Sequence, residues 1–201
     1  KEFERSGETY GSPRIYQVMR KLGLMCSQNR VARLMRMAGL SAKRSRRFKT
    51  TTKRNKAHPV APNRLNRDFR AERPNQKWLA DITYIPTQEG WLYLAAVLDL
   101  YSRQVIGWSM SKRMTDELTV TALHMAIRKR LGSPLGPAGK LLHHSDRGSQ
   151  YASKNYQQLL TRYGVQVSMS GTGNCYDNAP KESFFSLLKT ELVHHERYMS
   201  R

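Results

Sequence analysis

Trp78-Leu-Ala-Asp-Ile-Thr-Tyr-Ile85 is followed by Trp91-Leu-Tyr-Leu-Ala-Ala-Val-Leu98 and Gln104-Val-Ile-Gly-Trp-Ser-Met110. These runs are rich in aromatic, aliphatic and β-branched residues, and short loops with Gly90 or Ser102 separate them, so they read as three antiparallel strands. Asp81 sits inside the first. Downstream, Thr115 to Arg130 reads as a helix with Leu118, Leu123, Met125, Ala126 and Ile127 at its apolar positions, and Gly132-Ser-Pro-Leu-Gly-Pro137 stops it. Lys140 to Ser145 is then a short strand, Ser149 to Tyr163 a helix and Val165 to Met169 a strand. Asp177 to His194 is a last helix, with Phe184, Phe185, Leu187, Leu188 and Leu192. Three strands, helix, strand, helix, strand, helix predicts an α/β domain whose mixed sheet is covered by helices.

Upstream, Ile15, Val18, Met19 and Leu22 recur at helical spacing, and Val31, Leu34, Met35 and Ala38 do so again. Lys21-Leu-Gly-Leu-Met-Cys-Ser27 breaks the two helices at Gly23, with Ser27 as N-cap of the second. A small all-α, helix-turn-helix-like domain is expected, although many helical hairpins share this pattern. Its second helix carries Arg30 and Arg33, placed to meet a DNA groove. Next comes the cationic run Lys43-Arg-Ser-Arg-Arg-Phe-Lys-Thr-Thr-Thr-Lys-Arg54. Lys43, Arg44, Arg46, Arg47, Lys49, Lys53 and Arg54 repel one another unless phosphates neutralise them, and the alternative is a solvated linker. Phe48 either stacks or anchors this run. Pro59, Pro62, Pro74 and several Asn mark a boundary, which divides the chain into residues 1–56, a linker 57–76 and a core 77–201. Lys1-Glu-Phe-Glu4 reads as the interior of a helix rather than a natural start, and Tyr198-Met-Ser-Arg201 is equally abrupt, so a C-terminally incomplete fragment is expected.

Composition narrows the partners. The 201 residues hold 35 Lys and Arg against 15 Asp and Glu, a formal +20, while 39% hydrophobic content is enough for a real core. Such a surface attracts polyanions, nucleic acid first. The charge is concentrated in front, +15 within residues 1–70 and +5 in the rest. Cys26 and Cys175 lie far apart without metal-ligand spacing, so neither a disulfide framework nor a zinc site is indicated. No apolar run of about 18 residues suggests a membrane span, and a cytoplasmic, nucleoid-associated protein is expected.

The chemistry lies in three carboxylates. Asp81 is joined by Asp146 in His143-His-Ser-Asp-Arg-Gly-Ser-Gln150 and by Glu182 in Asn178-Ala-Pro-Lys-Glu-Ser-Phe-Phe185, with thirty-five residues between the latter two. Singly, an Asp in or after a strand is usually a turn or capping residue, and a helical Glu a solvated charge. Together, with these flanking residues, they resemble the Asp, Asp, thirty-five, Glu signature of the retroviral-integrase and transposase superfamily. In particular they resemble the transposase encoded by the second reading frame of IS3-family insertion sequences. Tyr10-Gly-Ser-Pro-Arg-Ile15 and Arg30-Val-Ala-Arg-Leu-Met35 are similar to that family's helix-turn-helix subdomain, and Ala61-Pro-Asn63 to Pro74-Asn-Gln-Lys-Trp78 to its lead-in.

The resemblance, which runs from about Tyr10 to Glu191, implies a ribonuclease-H-like core in which Asp81, Asp146 and Glu182 are catalytic metal ligands. It implies two Mg²⁺ ions, replaceable by Mn²⁺, that serve cleavage at a transposon end and then strand transfer by the freed 3′ hydroxyl. It also implies double-stranded DNA as partner, both transposon ends and target, and a homo-oligomer assembled on it. The family continues past the last helix, and its active form is often a frameshift fusion to an upstream reading-frame product. Lys189, two turns after Glu182 on nearly the same helical face, is either a phosphate contact or a solvated lysine. His143 and His144 are more often packing groups than ligands. Asp177 reads as a helix-start charge, Asp99 and Asp116 as turn and cap residues, and Glu191 as lying on another face. Gly171-Thr-Gly-Asn-Cys175 lacks the ending of a phosphate loop. The alternatives are a non-catalytic or truncated DNA-binding regulator of transposition and a ribonuclease H acting on hybrids, because fold does not decide substrate.

Replacing Arg44, Arg46, Arg47 and Lys49 together with Ala is expected to flatten the log–log salt dependence of duplex binding by up to about 3 to 4 units, at roughly 0.9 per lost phosphate contact. All sequences should weaken alike. An unchanged slope would make the run a solvated spacer.

Overall fold

The computed structural model describes residues 1–42, 61–131, 140–171 and 179–201. The cationic run with Phe48, Pro59, the stop at Gly132 to Pro137, Cys175 and Asp177 lie outside the described residues. The chain divides into two units, residues 1–49 with 186–197 and residues 50–185 with 198–201.

The first unit is helical: α1 spans Glu2–Arg5, α2 Ser12–Lys21 and α3 Gln28–Met37. Pro13 opens α2, where a missing N–H costs nothing. Gly23 at φ +76° turns the chain out of α2, a conformation that a side chain would strain. The Ser27 hydroxyl then accepts from Arg30 N at 3.2 Å and caps α3, as its sequence position suggests. Phe3, Ile15, Val31 and Met35 form the core, with Tyr10, Tyr16, Met19 and Cys26 packed around it. This stripe is narrower than the periodicity implies. Leu22 and Leu34, which match the helical spacing, are exposed, because Leu22 lies at the C-cap past the last turn of α2 and α3 buries only Val31 and Met35.

The second unit is built on a five-stranded sheet in the order β3-β2-β1-β4-β5. β1 (Lys77–Thr87), β2 (Gly90–Asp99) and β3 (Val105–Ser111) are antiparallel; β4 (Leu142–Ser145) and β5 (Gln166–Met169) continue the sheet in parallel. Helices α4 (Asp116–Arg130) and α5 (Lys154–Arg162) supply Leu118, Ala122, Leu123, Ala126, Ile127, Tyr156 and Leu160 to a core shared with Trp78, Ala80, Val97 and Ile106. A smaller cluster joins Leu79 and Leu100 to Leu65 of the lead-in. The buried Ser168 hydroxyl secures that lead-in by accepting from Arg64 N at 2.9 Å and Leu65 N at 3.2 Å. α6 spans Ala179–Glu191; its residues up to Phe185 belong to this unit, and the rest, with the 3-10 turn Val193–His195 that follows, to the first.

The expected element order is found, with local shifts. α5 starts at Lys154 rather than near Ser149, because Ser153 caps it by accepting from Tyr156 N at 3.3 Å, while Tyr151 N and Ala152 N are taken by Gly148 O in a turn. Asp99 is a turn residue as read: it accepts from Asn75 N, Ser102 N and the Ser102 hydroxyl at 2.7–3.1 Å. Gly107 is where α4 lies flat on β3. A Cβ there would stand 2.2 Å from Ala122 O and 2.6 Å from Ala126 N, both backbone atoms that cannot swing aside. Gly107→Ala should therefore destabilise the fold by about 1–3 kcal/mol, the usual cost of overpacking. Urea unfolding measures this, and a variant as stable as the parent would contradict the seating of α4.

Candidate active site

The sheet places two of the three carboxylates together. β4 runs parallel to β1 with Lys77 opposite Leu142, Trp78 opposite His143 and Leu79 opposite His144. Two residues further along both chains, the same offset sets Asp146 beside Asp81, one inside a long strand and the other just past the end of a short one. Asp81 Oδ1 accepts from Ile82 N at 2.9 Å. Asp146 Oδ1 accepts from Gly148 N, also at 2.9 Å, so this carboxylate shapes the turn after β4. Arg147 is held out of that turn by donating to Ser170 O at 2.6 Å.

Glu182 lies in the first turn of α6 and is exposed. It is close enough to raise the proton affinity of Asp81, the smallest of the charges that do so. Among the described residues, no three Asp, Glu, His or Cys side chains are grouped closely enough to hold a metal ion between them. The pair formed by Asp81 and Asp146 is the assembled part.

Burial raises the Asp81 carboxyl from its ordinary 3.8 to about 6; the Lys181 ammonium opposes this, and Asp146 adds to it. His143 and His144 are structural. The His143 ring, buried beside Lys181, is driven down to about 3 and stays neutral, with Nε2 2.9 Å from the Tyr156 hydroxyl. His144 Nδ1 lies 2.8 Å from the Ser168 hydroxyl. Glu191 pairs with Arg14, and Asp116 Oδ2 accepts from Asn155 at 3.0 Å. Arg30 and Arg33 are exposed along α3, and Lys189 is half-buried on α6, seven residues from Glu182. Lys43, Arg44, Arg46, Arg47, Lys49, Lys53 and Arg54 fall outside the described residues.

Two residues that motif reading passes over belong to this neighbourhood. Lys181 is only 2% exposed, and its Nζ donates to the Ala80 carbonyl on β1. Its signal was the four-residue spacing to the buried Phe185, which puts both on the inner face of α6. Tyr151 is equally buried, and its hydroxyl has no hydrogen-bond partner among the described residues. Burial, Tyr156, Asp81 and Asp146, in that order, keep the phenol protonated. The position of Tyr151, five residues past Asp146 in the turn before α5, was the available clue.

The paired carboxylates fit a hard divalent cation. Mg²⁺ takes oxygen ligands and is commonly held by one or two carboxylates, with waters and substrate phosphates completing the shell. The raised proton affinity of Asp81 comes first from its burial and then from the neighbouring Asp146 carboxylate. Since the folded value lies above the unfolded one, the favourable contribution is that of the protonated form. It is complete below pH 3.8 and is lost as pH rises through about 6. In a chelator, the stability of Asp81→Asn relative to the parent should thus rise by up to about 3 kcal/mol between pH 4 and 7. A difference that stays constant across this window, in urea unfolding, would contradict the placement of Asp81.

Residues 71–175 match the integrase core domain family, and residues 1–48 the HTH-like domain family. An insertion element IS600 31 kDa protein of Shigella sonnei is 47% identical over 197 residues, which is 98% of this chain and 71% of that protein. The transposase InsF for insertion sequence IS3A of Escherichia coli is 48% identical over 199 residues, 99% of this chain and 67% of its own length. Among solved structures, a chain of the simian T-cell lymphotropic virus intasome, in complex with PP2A regulatory subunit B56 gamma, superposes with a TM-score of 0.54 at 25% identity, over 72% of this chain and 48% of that one. With the mixed sheet, its flanking helices and the helical N-terminal unit, these matches make the chain a member of the IS3-type insertion-sequence transposases, with an integrase core of ribonuclease-H-like fold.

Proposed function

We propose that the chain carries out Mg²⁺-dependent cleavage of DNA at insertion-sequence ends and joining of the freed strand to target DNA, with Asp81, Asp146 and Glu182 as metal ligands. The observation that carries this reading is the parallel pairing of β1 and β4, which runs to Leu79 and His144, two residues before the acids, and leaves Asp146 close enough to raise the proton affinity of Asp81. Two bound Mg²⁺ ions would activate the attacking oxygen and stabilise the leaving one. Asp81 and Asp146 offer the fixed anionic face, held by strands on both sides. Glu182 is presented by α6 from an exposed position. Tyr151 is buried near enough to the same carboxylates for their charge to help keep its phenol protonated.

Residues 1–56 serve DNA recognition in this reading, the core 77–201 serves chemistry, and 57–76 joins them. Arg30 and Arg33 are exposed on α3 and discriminate end sequence in a major groove. Lys43, Arg44, Arg46, Arg47, Lys49, Lys53 and Arg54 neutralise phosphates, and Lys189 holds the strand near Glu182. The chain acts as a homo-oligomer on double-stranded DNA, at the nucleoid, fused to or assisted by the product of an upstream reading frame. Among the described residues, no helix is long and apolar enough to cross a membrane.

Asp81→Asn, Asp146→Asn and Glu182→Gln each remove a ligand charge with little change in volume. Each is expected to lower Mg²⁺-dependent cleavage of an end-bearing duplex by about 10²- to 10³-fold, the range found when one preorganised transition-state contact is removed. Duplex affinity should stay within about threefold, since phosphate contacts lie on other residues. Cleavage above one tenth of the parent rate by any variant would remove that residue from the site.

A further inference from the structure

The lead-in to β1 carries an arginine at every third position, Arg64, Arg67, Arg70 and Arg73, and all four are exposed. Together with the turn between β2 and β3 it borders an open groove of about 660 Å³, where Arg67, Arg70 and Arg103 stand around Phe69 and Tyr101. Asp68 and Glu72 also line it. Both walls are fixed to the start of β1. Lys77 Nζ donates to the Asp68 carbonyl and carboxylate, each at 2.8 Å, Leu100 N donates to Lys77 O at 3.0 Å, and Asp99 accepts from Asn75 N and Ser102 N. Lys77 thus matches the charge of Asp68, and the three guanidinium groups outweigh Glu72. Two of these arginines hold left-handed backbone, Arg67 at φ +60° and Arg103 at φ +57°. Gly or Asn adopts that conformation more easily, as Asn75 does at φ +60°. Both arginines are exposed, so core packing does not account for them. Strained backbone held by rigid surroundings is a feature of ligand clamps.

We propose that this groove is a clamp for the DNA backbone, outside the acidic site, in which Arg67, Arg70 and Arg103 meet phosphates and the exposed Tyr101 gives its hydroxyl to the same sugar–phosphate chain. The proposal rests on the reading that the chain cuts and joins DNA at Asp81 and Asp146. Charge selects the occupant. With 35 Lys and Arg against 15 Asp and Glu, a second copy of the chain has little acid to place here, whereas guanidinium forks and tyrosine hydroxyls are regular partners of phosphate oxygens. The position of the groove suits DNA already engaged at the acids. Leu100 lies level with Lys77, four residues before Asp81 on β1, which is roughly 13 Å at 3.3 Å per residue. Phosphates follow one another about every 3.4 Å along one strand of a duplex, so the clamp holds DNA roughly four base pairs from the phosphate at the acids. Contacts of this kind set the register of the duplex and read no base.

The test is binding of a random-sequence duplex by the whole 201-residue chain across a salt series, with Arg67→Asn, Arg70→Gln and Arg103→Asn combined. Asn accepts the left-handed backbone, so the variant should unfold no earlier than the parent. Its log–log salt slope should be flatter by about 2 to 3 units, at roughly 0.9 per lost phosphate contact. Arg128→Gln, Lys129→Gln and Arg162→Gln, which remove three exposed cations of α4 and α5, should together change the slope by less than about one unit. An unchanged slope in the groove variant, or equal flattening by the helix variant, overturns the clamp. Neutral methylphosphonates scanned along the DNA give a second reading. Some positions should weaken binding by the parent roughly tenfold and leave the groove variant indifferent. Such positions on an end-bearing duplex assign the clamp to end DNA, and on a target duplex alone to target DNA. Identical scans for the two proteins overturn it. Failure of the clamp while Asp81→Asn still blocks cleavage leaves the transposase reading standing, whereas a parent chain that binds no duplex removes both.

Discussion

The molecule depends on how β4 lies against β1. Only three residue pairs define this parallel contact, yet it carries the sheet from its antiparallel half into its parallel half and sets the line on which Asp81 and Asp146 meet. A one-residue slip would send every side chain of β4 to the opposite face. The register is guarded by the buried polar residues on its path. His143 bonds the Tyr156 hydroxyl of α5, and His144 bonds the Ser168 hydroxyl of β5, which also accepts two backbone N–H groups of the lead-in. Breaking any of these leaves a buried polar group unmatched, which costs more than the bond itself is worth. The histidines beside Asp146 thus contribute to the site by position, as neutral struts.

A carboxylate pair held this way is under electrostatic tension. Burial and Asp146 both disfavour charge on Asp81, and Lys181 relieves part of it from α6. The strands that bring the acids together are rigid, packed elements, whereas Glu182 comes from the first turn of a helix at the surface. The proposed ligands therefore come from two kinds of element, Asp81 and Asp146 from the meeting of two strands and Glu182 from a helix.

Much of the fold is legible in the sequence because its elements have strong local signals. The hairpin of β1 and β2 follows from two β-rich runs around Gly90, and α3 from Ser27 in front of Val31 and Met35. Boundaries were less legible where a turn competes with a helix: Ser149 to Ala152 are compatible with α5 until the Gly148 carbonyl takes Tyr151 N and Ala152 N. Leu22 and Leu34 show the same limit, since their spacing is helical but no partner covers them. At the site, Asp81 and Asp146 were found through their flanking residues, and the register gives their meeting a physical cause. Lys181 escaped because a lysine ahead of a glutamate reads as a solvated charge. What buries it is the Ala80 carbonyl on a strand about 100 residues away, and no local pattern encodes that.

The central claim is that Asp81 and Asp146 together hold a divalent cation. A crystal of the chain grown with Mn²⁺ and measured at the manganese absorption edge tests it most directly. The expected result is an anomalous peak within roughly 2.5 Å of a carboxylate oxygen of each residue. A peak on only one of them, or at other residues while the pair stays bare at saturating Mn²⁺, would contradict it.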